Sequence, residues 1–206
     1  MKTVAHALIL TAALAAPTAA QSEKAAEVRR QFEAGRYADV VRMADEADAD
    51  APDYGAVCYT AAEAFQRLNQ NDRAIETYNR LAELPDGNPW RPIGSSARAL
   101  LQGNIATALT DATEAVARAA TQPEAHYQLG LVWAKKEDWG QAASAFSRAA
   151  DLDPRYAYAF YRAGVAYNKI KRIDRMANAF DTFLKLAPNA PEAPAVQQIM
   201  KTVRGK

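Results

Sequence analysis

Apolar residues return along this chain in short bursts of helical spacing, two bursts to every 34 residues. With rows begun at Gln21, Gly55, Pro89, Pro123 and Ala157, the same kind of residue falls at the same place in each row, and no insertion is needed. Each row predicts two amphipathic helices of roughly 12 to 14 residues, parted by a short polar turn such as Asn69 to Asp72 or Lys136 to Asp138. Pro52, Pro154 and Pro188 stop the second helix before the next pair begins, since an interior proline has no N–H to give to a helix. One helical pair cannot bury both its faces, but stacked pairs can. The period therefore predicts an all-α solenoid with one continuous core.

The fourth row carries Leu129, Gly130, Trp133, Ala142, Phe146, Ala149 and Pro154, and the fifth echoes it with Gly164, Tyr167, Phe180 and Pro188. This alternation of small and large residues resembles the signature of the tetratricopeptide-repeat (TPR) family. The first row keeps the register with Tyr37, Ala44, Ala47 and Pro52, and the second with Ala62, Phe65, Ala74, Tyr78 and Leu81. The third is degenerate: Ser96 holds the small position, Ala99 and Ala112 hold the aromatic ones, and GNPWRPIG at its opening is expected to shorten the first helix. Gly103, Asn104 and Ile105 at its turn, then Ala108 and Ala115, still match. The resemblance covers residues 21–190 and implies a right-handed superhelical solenoid of five helix-turn-helix repeats, 21–54, 55–88, 89–122, 123–156 and 157–190. Small residues such as Gly130 and Ala142 let paired helices approach, while Trp133, Trp139 and Phe146 fill the space between pairs.

The two ends differ from the rows. Residues 191–206 set Val196, Ile199, Met200 and Val203 at helical spacing against Gln197, Gln198 and Lys201, which predicts a C-terminal capping helix; a frayed tail is the alternative. Residues 1–20 carry Lys2, an apolar run from Val4 to Ala16, and small residues before Gln21, the layout of a secretory signal peptide cut after Ala20 with Thr18 and Ala20 at the peptidase subsites. That run would reach only about 20 Å as a helix, short of the roughly 30 Å of a bilayer core. An uncleaved anchor or a soluble amphipathic N-terminus are the other readings. After cleavage no stretch is apolar enough to span a membrane, and a periplasmic location is expected.

Cys58 is the only cysteine, so an exported chain would have to hold together by packing without an internal disulfide. The formal net charge of +1 falls to zero once Lys2 is removed, and nothing global points to nucleic acid. Charge is unevenly spread. Residues 21–88 hold 8 Lys or Arg against 14 Asp or Glu, and residues 123–206 hold 13 against 8. Arg162, Lys169, Lys171, Arg172 and Arg175 gather in the fifth row, either as a surface that steers an acidic partner or as an ordinary solvated face.

Enzyme chemistry is not expected. His126 and Cys58 each sit at the fourth position of a first helix, where a side chain packs, and neither has the base or co-ligands that a nucleophile or zinc site needs. The acidic run from Asp45 to Asp53 lacks the glycine and closing glutamate of a calcium loop, which leaves a solvated corner as the better reading. No phosphate-binding loop or nucleotide fingerprint appears, and no cofactor or metal is predicted.

The resemblance implies that ligands lie in the concave groove lined by the first helices. At those positions stand Tyr59, Glu63, Gln66 and Arg67, then Trp90, then Tyr127, Leu131 and Lys135, then Tyr158, Tyr161, Asn168 and Lys169. Rings flanked by amide and basic groups suit an extended peptide, although the same tyrosines can instead pack between hairpins with only the hydroxyl exposed. The carboxylate clamp that some family members use for chaperone tails relies on asparagine at the ninth helical position. Here that position holds Arg29, Glu63, Ala97, Leu131 and Val165, which argues against it. The expected function is a non-enzymatic scaffold or adaptor of the periplasm that binds a protein or peptide segment. A self-assembling, homo-oligomeric envelope protein is the alternative.

Overall fold

The computed structural model describes residues 23–205, and the leader expected over residues 1–20 lies outside them. Eleven helices make up the described chain: α1 (Glu23–Glu33), α2 (Tyr37–Asp45), α3 (Tyr54–Arg67), α4 (Asn71–Ala82), α5 (Trp90–Leu101), α6 (Ile105–Arg118), α7 (Pro123–Lys135), α8 (Trp139–Leu152), α9 (Ala157–Lys169), α10 (Ile173–Leu186) and α11 (Ala193–Arg204). Every broad helix–helix contact joins elements no more than two apart in the chain, the packing of a helical solenoid.

The 34-residue period is written into the backbone as well as the side chains. Gly35, Asn69, Gly103, Glu137 and Lys171 all have positive φ, between 59° and 82°, and each is 34 residues from the next. The residue that follows each one donates its N–H to a carbonyl five residues back: Arg36 to Gln31, Gln70 to Phe65, Asn104 to Ala99, Asp138 to Trp133 and Arg172 to Tyr167, at 2.8–3.0 Å. This is the Schellman end of the first helix in every repeat, where one left-handed residue satisfies a terminal carbonyl and turns the chain back. The turn is a fixed part of the repeat, independent of which residue occupies it.

Close approach inside each hairpin follows the small-and-large pattern. A Cβ on Gly130 would stand 2.6 Å from the Phe146 ring, and one on Gly164 would stand 2.5 Å from the Phe180 ring. In the third repeat, where Ala112 replaces the ring, the small position is filled by Ser96, whose hydroxyl donates to Ala108 O at 2.8 Å. The proline-rich opening shortens α5 only to 12 residues, against 14 in α3 and 13 in α7 and α9. Pro92 falls in the first helical turn, where its missing N–H costs nothing, and Asn88 Oδ1 accepts the Trp90 N–H at 2.9 Å to start the helix. At the far end, α11 buries Val196 and Met200 in a cluster with Phe180 and Phe183, and Arg204 reaches Asp181 at 2.6 Å.

Candidate functional site

The odd-numbered helices α3, α5 and α7 touch one another directly and line the concave face. Their C-terminal halves, with Tyr78 of α4 and Arg162 of α9, line a half-open cavity of about 450 Å³. Leu100, Leu101, Leu131 and Ala134 supply its apolar wall; Glu63, Gln66, Arg67, Lys135 and Arg162 supply its polar groups. Three cations thus line the site with one carboxylate, and one of the three, Arg67, is already paired with Glu192. Burial pushes the Glu63 carboxyl up to about 7, while Arg162, Arg67 and Arg29 pull it the other way. Arg162 Nε is buried without a hydrogen-bond partner, an unmet donor at the cavity margin.

The sequence-predicted groove residues divide into two groups. Gln66, Arg67 and Lys135 line the cavity. Gln66 donates to the Tyr78 hydroxyl at 2.9 Å, and Arg67 is ion-paired with Glu192 at 2.6 Å. Tyr59, Tyr127 and Tyr158 are each about 1% exposed, so packing between hairpins describes all three. Tyr59 donates its hydroxyl to Gln128 at 2.9 Å, Tyr127 lies 4.9 Å from the Tyr156 ring, and Tyr158 meets Phe32 edge-on at 5.3 Å. The physical reason is ring packing: Tyr59 lies 6.0 Å from both Tyr78 and Trp90, Tyr127 lies 5.6 Å from Phe146, and Tyr158 lies 6.0 Å from Phe183, so each ring is covered by its neighbours. Burial raises the phenol pKa of each of these tyrosines.

Trp90 is half-buried, its indole occupying the space where a Cβ on Gly55 would sit. Tyr161 wedges between Tyr158 and Phe183, 5.9 and 5.1 Å away. Asn168 is half-buried, and exposed Lys169 places its ammonium 5.3 Å from the Trp139 ring on the neighbouring hairpin. Neither lines the cavity. Cys58 and His126 are both buried; His126 Nε2 donates to Ala120 O at 2.9 Å, and burial pushes the Cys58 thiol up.

A set of charged contacts across the superhelix is not anticipated by the row pattern. Arg29 of α1 binds Glu124 at the start of α7 and Asp153 before α9, the latter at 2.5 Å, with its guanidinium 4.2 Å from the centre of the Tyr156 ring. Glu33 accepts the Ala157 N–H at the start of α9 at 3.2 Å. Glu192 closes the same side, accepting from Arg67 and from the Tyr158 hydroxyl at 2.6 Å each. These partners are 34 to 125 residues apart. The one hint in the sequence is that Arg29 and Glu33 share the α1 face that carries Phe32, an unusual place for two charges.

Three family models match the sequence, each described as tetratricopeptide repeat: one over residues 31–89, one over 123–156 and one over 158–190. The chain belongs to the tetratricopeptide-repeat family. Solved structures agree on the fold. TTC0263, a thermophilic TPR protein of Thermus thermophilus, matches with a TM-score of 0.62 at 16% identity over 91% of this chain and 100% of that one. The Cut9-Hcn1 hetero-tetramer of the APC/C matches with 0.61 at 22% identity over 87% of this chain, which spans only 35% of that one. The first TPR of Spaghetti (RPAP3), bound to the HSP90 peptide SRMEEVD, matches with 0.55 at 16% identity over 59% of this chain and 97% of that chain. YrrB, a TPR protein with an unusual peptide-binding site, matches with 0.51 at 18% identity, over 86% of this chain and 92% of that one. No curated protein matches the sequence significantly. TPR arrays of this kind support a protein–protein interaction scaffold. Among the described residues, no helix is long and apolar enough to cross a membrane.

Proposed function

We propose that this protein is a non-enzymatic scaffold of the periplasm that holds a peptide segment of a partner protein in the cavity between α3, α5 and α7. The observation that carries this is the composition of the cavity: an apolar wall of Leu100, Leu101 and Leu131 beside Lys135, Arg162 and the Glu192-paired Arg67, with Glu63 the one carboxylate in the lining. Such a site binds an extended segment that pairs apolar side chains with carboxylates, since the leucines take the former and the cations the latter. The size suits it, because ligand cavities run from about 300 to 1,000 Å³. Peptide binding in two structural neighbours, Spaghetti and YrrB, supports the same reading. The periplasmic assignment rests on the leader-like residues 1–20.

The test uses the chain exported in a bacterial host, with two variants that alter the cavity and leave the buried tyrosines alone. Leu131→Arg fills the apolar wall and Lys135→Glu reverses a rim charge. A partner retained from an envelope extract by the native protein and lost by both variants, with unchanged helical circular dichroism, supports the proposal. Equal retention by all three removes the cavity from consideration. N-terminal sequencing of the periplasmic fraction tests the leader, with Gln21 expected as the first residue. The charge imbalance between the two halves favours the second reading, head-to-tail self-assembly, which predicts a sedimentation coefficient that rises with concentration and falls back in high salt.

A further inference from the structure

The contacts that α1 makes across the superhelix are those of a docked ligand. The broad helix–helix contacts join elements at most two apart, and α1 is one of the elements whose side chains reach further: Arg29, Phe32 and Glu33 meet residues of α7, α9 and the segment before α9. Each of the three has a dedicated receptor. The Arg29 guanidinium is held by Glu124 and Asp153 and lies on the Tyr156 ring, all buried. Phe32 packs edge-on against Tyr158. Glu33 sits at the N-terminus of α9, where a helix presents free N–H groups and positive dipole to a carboxylate. A cation, a ring and a carboxylate at positions i, i+3 and i+4 of one helix are therefore read by a notch built from the starts of α7 and α9.

We propose that this notch is a helix-docking site occupied in cis by α1, and that it accepts from a partner an amphipathic helix bearing the same Arg-x-x-Phe-Glu face. This goes beyond the cavity reading and does not depend on it. The segment between α2 and α3, residues 46–53, is non-helical and largely exposed, with four carboxylates. It is the hinge about which the α1–α2 hairpin swings out. Release of α1 uncovers the faces of Tyr156 and Tyr158 on which Arg29 and Phe32 now lie. A tethered helix acts at an effective concentration of the order of millimolar, so α1 holds off competing helices until its own grip is weakened.

The experiment uses the full chain, a fluorescent synthetic peptide of residues 23–36, and a protease that cuts at acidic residues. Arg29→Glu places a carboxylate against Glu124 and Asp153 and expels α1; Phe32→Ala weakens the same contact without a charge change and serves if the first variant does not fold. Both variants should speed cleavage within residues 46–53 and tighten binding of the labelled native-sequence peptide by roughly a hundredfold relative to the native chain. The peptide carrying Arg29→Glu should not bind. Unchanged cleavage in both variants overturns the proposal, because these contacts would not then hold α1. Faster cleavage without peptide binding also overturns it, because the notch would not be a site for a separate helix, and so does a native chain that binds the peptide as tightly as the variants.

Discussion

Gly130 and Phe146 are in contact so close that no side chain fits between them: a Cβ on the glycine would lie 2.6 Å from two atoms of the ring. In isolation alanine favours a helix over glycine by about 1 kcal/mol. Here the added methyl must displace an aromatic ring that is 1% exposed and hemmed in on every side, which costs typically 1–3 kcal/mol. Packing outweighs propensity, so Gly130→Ala should destabilise the protein by about 1 kcal/mol, lowering the thermal midpoint by ~2–4 °C. Gly140 gives the opposite sign. It is helical and exposed, and the nearest atom to its Cβ is Asp138 Oδ1 at an ordinary 3.6 Å, so Gly140→Ala should stabilise by up to ~1 kcal/mol. Melting curves of the two variants that shift in the same direction would refute the packing account.

The five left-handed turn positions make a second comparison within one molecule. Gly35, Asn69 and Gly103 are residue types that tolerate positive φ, whereas Glu137 at 62° and Lys171 at 60° are not. Their Cβ atoms are strained there, by about 1 kcal/mol once the greater freedom of glycine in the unfolded chain is allowed for. Glu137→Gly and Lys171→Gly should each raise stability by about that amount in urea titrations, and Gly103→Ala should lower it. If glycine at Glu137 and Lys171 instead costs what it costs at an ordinary helical site, the turn is not under strain.

Just past each of these turns a second helix begins, and only one of them is capped by a side chain. Asp138 Oδ1 accepts the Gln141 N–H at 3.1 Å, while Arg36, Gln70, Asn104 and Arg172 at the equivalent position make no such bond. Asp138→Ala should therefore cost about 1 kcal/mol, and Arg172→Asp should gain a similar amount by supplying the missing acceptor beside the α10 dipole. Hydrogen exchange of the first-turn amides of α8 and α10 locates the effect, with faster exchange expected in the first variant and slower in the second.

The hairpins were legible in the sequence because the information that builds them is local and repeated. Spacing alone predicts the turn at Gly103 and Asn104, even in a row whose aromatic positions hold Ala99 and Ala112, since helix period and a left-handed residue suffice to make it. The concave face was less legible. Whether Tyr59 or Tyr158 meets solvent depends on rings from other rows, Trp90 for the first and Phe32 for the second, which no single row encodes. The ion pairs of Arg29 and Arg67 were illegible for a related reason. They join residues 95 to 125 apart, and neither Glu124 nor Glu192 differs in any local way from the carboxylates that stay in solvent. In the same way Lys135 was recognisable as a rim residue by its register, while Arg162 looked like one of a solvated basic cluster until the fold turned it inward to the cavity.

The buried carboxylates set the pH at which the array is most stable. Glu63 and Glu33 both have folded pKa values of about 7, raised by burial against the pull of Arg162 and Arg67 on the first and of Arg29 on the second. In the unfolded chain they titrate near 4.5, so between pH 4.5 and 7 the folded state holds protons that the unfolded state has lost, and stability falls as pH rises through that window. Glu27 and Glu192 act in the other direction. Hydrogen bonds from Gln31 and Arg30 lower the first; burial opposes the shift at the second, but the bonds from Tyr158 and Arg67 win, and both groups lose their contribution as pH drops below the ordinary carboxylate range. Stability should accordingly peak near pH 5 and decline toward pH 8 by up to about 5 kcal/mol, roughly half of it from each carboxylate. Glu63→Gln keeps the shape and removes the charge. Urea midpoints should show it more stable than the native protein at pH 8 and equal at pH 5, with a shallower decline between; a decline of unchanged steepness would mean that Glu63 is ionised in the folded protein throughout, held by Arg162 more strongly than burial opposes it.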